Sequence, residues 1–161
     1  MVGLGLAVLR LALAVVFAAH GAHILFGYGA GPGSGGGGLH NTAQQYAALG
    51  LHPELVLAVV SGVIQLAGAV LLAFGALTRW AAVCLIGYLG IGIWKEHYQW
   101  GFFLNWMGAP GRGQGVEYSM MLIGALLCLI ISGAGDWSFD GHRANTASNR
   151  AAGRARLRGK I

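Results

Sequence analysis

The chain has 161 residues, 56% of them hydrophobic and only 9% charged, with a formal charge of +5. That balance excludes an ordinary water-soluble domain. The apolar residues gather in blocks that leave no room for a separate soluble domain, and nothing in the pattern points to a nucleic-acid partner.

Residues 2–27 form the first block, long enough for a helix across a bilayer of about 30 Å. No Lys or Arg precedes it and Arg10 interrupts it, so it reads as a span rather than a cleaved leader. Arg10, His20 and His23 lie within it, and ionisable groups in hydrocarbon need a partner or a polar cavity. Ala14, Ala18 and Ala22 make a small-residue stripe suited to close helix packing.

Residues 29–38 are a Gly-rich connection without the Lys and Ser/Thr of a phosphate-binding loop. Asn41 and Thr42 offer N-caps for a short helix from Ala43 to Leu49, which Gly50 ends. Tyr46 and Leu49 share one face of it, and it is short enough to lie at the outer surface. Pro53 suits the first turn of the next helix.

The second span, 54–77, places Ser61, Gly62, Gln65, Gly68 and Ala69 on one face. The third, 79–98, ends in Lys95-Glu96-His97, and the fourth, 116–134, begins with Glu117 and Tyr118. Between them, 98–115 is rich in aromatics and contains Asn105; it covers the bundle mouth or contacts a partner. Trp94, Tyr98, Trp100, Phe102, Phe103, Trp106 and Tyr118 mark one membrane boundary, and Trp80 and Trp137 the other.

Arg143, Arg150, Arg154, Arg156, Arg158 and Lys160 follow the fourth span, and Arg79 lies in the tight 77–79 link. The positive-inside bias puts these and both termini in the cytoplasm, with 28–53 and 98–115 outside. The expected architecture is all-α. It is a four-transmembrane-helix bundle over 1–136 with a short outer interfacial helix, followed by a basic cytoplasmic tail over 137–161.

In that topology His20, His23, Lys95, Glu96, His97 and Glu117 converge on the outer end. Three readings compete. One is a structural network in which Lys95 or His20 satisfies Glu117. A second is a quinone or similar redox ligand held by His20, His23, His97, Glu117 and Tyr118. The third is haem or metal ligation by His20 and His23 with a ligand from His97 or Glu117; no metal site is assigned. Cys84, Tyr88, Ile91 and Lys95 share one face, as do Glu117, Met121, Gly124 and Cys128. If Lys95 meets Glu117, Cys84 and Cys128 come level as a thiol pair, against the alternative of two apolar fillers. Arg10, Gln65, Lys95 and Asn105 are read as structural polar groups.

Several short motifs resemble the DoxX family: Leu9-Arg10-Leu11, Ala19-His20-Gly21, Leu25-Phe26-Gly27, Gln65-Leu66-Ala67-Gly68, Leu77-Thr78-Arg79, Gly101-Phe102-Phe103 with Asn105, and Glu117-Tyr118. The resemblance runs from about residue 5 to 140. It implies a bacterial or archaeal plasma-membrane protein of four helices, linked to quinone-reducing, thiol or superoxide-defence assemblies. The family often carries Glu where this chain has Gln65, and Lys where it has Ile24, leaving Arg10 only Gln65 as a partner in the second span.

The leading expectation is an accessory subunit of a membrane redox or energy-converting complex, more a non-catalytic component than an enzyme. It would shape an outer quinone pocket and contact other subunits through 98–115 and 143–161. The alternatives are a self-sufficient quinone-linked oxidoreductase using His20, His23 and Glu117, and a small-molecule carrier.

Overall fold

The computed structural model describes residues 2–29 and 36–158, with side chains as far as Arg150. The Gly-rich positions 30–35, Lys160 and the side chains of Arg154, Arg156 and Arg158 lie outside the described residues. Every described element is helical. The α-helices are α1 (Val2–Phe26), α2 (Leu39–Ala48), α3 (Glu54–Phe74), α4 (Thr78–Gly92), α5 (Glu117–Ser132) and α6 (Phe139–Arg158). α4 runs on through a π turn, Ile93–His97, and a 3-10 turn, Tyr98–Trp100.

α1 (25 residues) and α3 (21 residues) are long and apolar enough to cross a membrane by length and composition. α4 and α5, at 15 and 16 residues, are shorter. The four expected spans thus all appear as helices, and two of them meet that length.

α1 and α3 make the most extensive helix contact. The expected small face of α3 is buried as a unit: Ser61, Gly62, Gln65, Gly68 and Ala69. Small residues let backbones approach until carbonyls and side chains interlock. At Gly21, an added Cβ would lie 2.8 Å from Leu66 Cγ, 2.9 Å from the Leu66 nitrogen and 3.0 Å from the Gly62 oxygen. Phe17, Leu72, Leu85, Leu126 and Leu129 fill the core where α1, α3, α4 and α5 meet.

The α3–α4 turn takes two left-handed residues, Gly75 (φ 65°) and Leu77 (φ 49°). Leucine disfavours that conformation, and here both of its backbone polar groups are tied. Its N–H donates to Asp140 Oδ1 at 3.0 Å, and its carbonyl accepts from Ala81. Asp140 Oδ2 also accepts from the Thr78 N–H at 2.9 Å. A carboxylate at the start of α4 therefore caps that helix from another part of the chain, where the helix dipole favours negative charge.

Two local expectations are corrected. α2 begins at Leu39, four residues before the expected Ala43, because Gly38 at φ 96° makes the entry turn and its carbonyl accepts from the Thr42 N–H at 3.0 Å. Asn41 is inside the helix and donates back to the Gly37 carbonyl, so neither it nor the buried Thr42 is the cap. The chain after the fourth expected span is also no plain tail. Its first residues, from Trp137 to Asp140, dock on the α3–α4 turn, and α6 continues from there.

Candidate functional site

Two polar centres occupy opposite ends of the bundle. At the turn end, Arg10 is 2% exposed. Its Nη1 donates to the carbonyls of Leu72 (2.9 Å) and Ala73 (3.3 Å), and its Nη2 to the carbonyl of Trp137 (2.6 Å). The last carbonyls of a helix lack intrahelical donors and carry partial negative charge, so a guanidinium fork is well matched to them. The expected Gln65 partnership does not form. Arg10 meets the C-terminus of α3, while Gln65 lies about two turns away and donates to the Ser61 carbonyl at 3.4 Å. Gly75 packs directly against Arg10 Nη1 and Ser138. This centre staples α1, α3 and the root of α6.

The opposite end holds a cavity of about 910 Å³ between α1, α2, α3, α4 and α5. His20, His23, His97, Tyr118, Lys95, Glu96 and Gln65 all line it. Each histidine is held alike. His20 Nδ1 lies 2.8 Å from the Val16 carbonyl, His23 Nδ1 2.9 Å from the Tyr28 carbonyl, and His97 Nδ1 3.0 Å from the Gln114 carbonyl. A carbonyl only accepts, so the proton belongs on Nδ1 in each ring. In the neutral form of such a ring Nε2 carries the lone pair and can accept. His20 also stacks on Tyr118, with ring centroids 6.4 Å apart, and Gly37 packs against the His23 ring.

The cavity wall carries a second polar chain. Tyr46 donates to Ser61 Oγ at 3.0 Å, and Ser61 Oγ donates to the Ala58 carbonyl at 3.0 Å. Tyr88 lines the same wall beside Tyr46 and Gln65. Gln65, 1% exposed, therefore belongs to the ligand end rather than to Arg10. Sequence reasoning missed Ser61, Tyr88 and Gln114 as wall residues. Tyr88 was signalled by its place on one face with Cys84, Ile91 and Lys95, since all four line the cavity.

Glu117 does not line it. Its Oε2 accepts from the Leu104 N–H at 3.2 Å and so anchors the 98–115 loop. Lys95 Nζ instead lies 4.4 Å above the Trp94 ring, and the one ion pair among the described residues is His52–Glu54 at 3.0 Å. The Lys95–Glu117 pair is thus replaced by two separate contacts, because α5 turns Tyr118, Ser119 and Leu122 to the cavity. Met121, Gly124 and Cys128 are exposed. Cys84 and Cys128 are both free and exposed.

Asn105 is the organiser of its loop. Its side chain donates to the carbonyls of Ala109 (3.1 Å) and Arg112 (2.8 Å) and accepts from the Ala109 N–H (2.9 Å). Backbone bonds from Val116 to Gly101 and from Glu117 to Phe102 close the loop base. Only Gln114 from this loop reaches the cavity, while Phe103, Trp106 and Met107 are exposed. No group of three His, Cys, Asp or Glu side chains that could hold a metal ion occurs among the described residues.

Fold and composition define a helical membrane protein with a large cavity at one end and a buried arginine staple at the other. The chain belongs to the DoxX family, whose model matches residues 5–97, and it is thereby a membrane protein associated with redox functions. The matched stretch runs from α1 to the π turn and includes His20, His23, Gln65 and His97; Tyr118 lies beyond it. Comparison with curated proteins and with solved structures found no match.

Proposed function

We propose that this protein is a four-span accessory subunit of a redox complex in a bacterial or archaeal plasma membrane, and that its outer cavity holds a quinone or quinol head group. One observation carries the reading. Three histidines from α1 and the π turn share one cavity, each with Nδ1 held by a backbone carbonyl, which leaves Nε2 to accept in the neutral ring. Such a wall suits a ligand that brings hydroxyl donors of its own, as a quinol does. Lys95 and Tyr118 supply donors for the carbonyls of the oxidised form. A volume of about 910 Å³ falls within the usual range for small-molecule sites.

In this arrangement the chain binds and orients, and the electron-transfer centre belongs to another subunit. The exposed loop face of Phe103, Trp106 and Met107, and the basic helix α6, are the contact surfaces for it. The basic α6 and Arg79 face the cytoplasm under the positive-inside bias, and the cavity faces outward.

Purification of the full chain from its own membrane in mild detergent tests the subunit reading. Unlike chains are expected to copurify in fixed ratio, and a loop variant with Trp106→Ser and Met107→Ser is expected to lose them while staying folded. A monodisperse single chain that turns over quinone unaided would contradict it.

A further inference from the structure

The cavity has two kinds of rim. Gln45, Glu96 and Gln114 are exposed at its polar end, whereas Val60, Cys84, Gly87 and Ile91 are exposed along its side, between α3 and α4. A second, smaller groove of about 220 Å³ lies between the same two helices, lined by apolar groups alone. It runs from Ile64 and Cys84, which also line the cavity, past Ala67 and Leu71 to Leu77 and Trp80. The two recesses therefore share two wall residues. On α3 the groove covers Val63 to Leu71, roughly 12 Å of helix rise.

We infer that the α3–α4 seam is a lateral portal and tail slot, so that the cavity's ligand is an amphiphile with a hydrogen-bonding head and a long apolar tail. The inference rests on the reading of the cavity as a head-group site. A membrane-dissolved molecule entering by the polar rim would have to pull its tail through water, at a cost that grows with every methylene. A slot opening from the cavity directly along the apolar side of the bundle removes that cost: the head turns inward at Cys84 while the tail stays between α3 and α4. Gly87 keeps the threshold low. A Cβ there meets nothing within 4 Å, so a larger side chain is tolerated by the fold and fills the opening instead.

The test uses the full chain in lipid nanodiscs with two photoreactive benzoquinones, one carrying a diazirine on the head and one at the end of a decyl tail. Mass spectrometry maps the labelled residues. The head probe is expected on the cavity wall, and the tail probe on Ala67, Leu71 or Trp80. Gly87→Phe should abolish tail labelling. Gly90→Phe should leave it unchanged, since Gly90 has equally open space and lines neither recess. Head labelling without tail labelling in the seam overturns the portal and spares the cavity reading. Absence of both overturns both. Seam labelling that persists in His20→Leu/His97→Leu marks a groove for any lipid chain and overturns the inference.

Discussion

Arg10→Ala is expected to destabilise the protein by about 3–5 kcal/mol, the largest effect of any single truncation in the chain. The carbonyls of Ala73 and Trp137 lose their side-chain donor, and that of Leu72, which also accepts from the Gly75 N–H at 3.2 Å, loses one of two. Each unpaired buried acceptor costs about 1–3 kcal/mol. The sum is offset in part because the guanidinium is itself costly to bury, with Nε unpartnered. The damage spreads, because the same side chain joins α1 to the end of α3 and to the residue that leads into α6. Arg10→Lys should fall between, since one ammonium reaches fewer of the three carbonyls than a planar fork. Equilibrium unfolding in detergent gives the magnitude, and limited proteolysis should show α6 released in Arg10→Ala. A loss below about 1 kcal/mol, with α6 still protected, would show the staple to be incidental.

Gly21→Val should rank second, at about 3 kcal/mol, near the upper end of overpacking costs. The reason lies in what the new atoms meet. At Gly21 two of the three nearest atoms are backbone, the Leu66 nitrogen and the Gly62 oxygen, so α1 and α3 must separate. At Gly62 a Cβ would lie 2.5 Å from Leu25 Cγ, and that side chain can rotate away. Gly62→Ala is therefore expected to cost less than Gly21→Ala despite the shorter contact. Gly5→Val, where a Cβ meets nothing within 4 Å, serves as the silent control. Unfolding of the four variants in one detergent series gives the ranking, and equal losses at Gly21 and Gly5 would refute it.

The sequence made the helices legible because hydrocarbon imposes long apolar runs with few exceptions, and each exception then stands out. His20, His23, His97 and Tyr118 could be grouped from topology alone, since three helix ends had to meet at one side. Partner identity was not legible. Arg10 bonds to backbone carbonyls, which every residue carries, so no side-chain pattern could mark Leu72, Ala73 or Trp137 as its acceptors. Glu117 and Lys95 looked like a pair by charge and depth, but rotation of α5 about its axis decides which face turns inward. Periodicity fixes a face without saying which helix it meets. The π turn at Ile93–His97 was equally hidden. It adds a residue to the local turn, and His97 at its end bonds to the Gln114 carbonyl and lines the cavity. Asp140 falls in a stretch that composition marks only as a basic tail, because a cap supplied from a distant helix leaves no local signature.

A histidine-lined cavity built for a redox-active ring should bind that ring without its tail. The direct measurement is equilibrium titration of the full chain in nanodiscs with a water-soluble, tail-less benzoquinol, under conditions that keep it reduced. Wild type and His20→Leu/His97→Leu are compared. Saturable binding with one site per chain is expected for wild type, weakened at least about tenfold in the double variant, which loses two hydrogen bonds worth roughly 1 kcal/mol each. Binding that never saturates, or that is the same in both proteins, would contradict the cavity's proposed role.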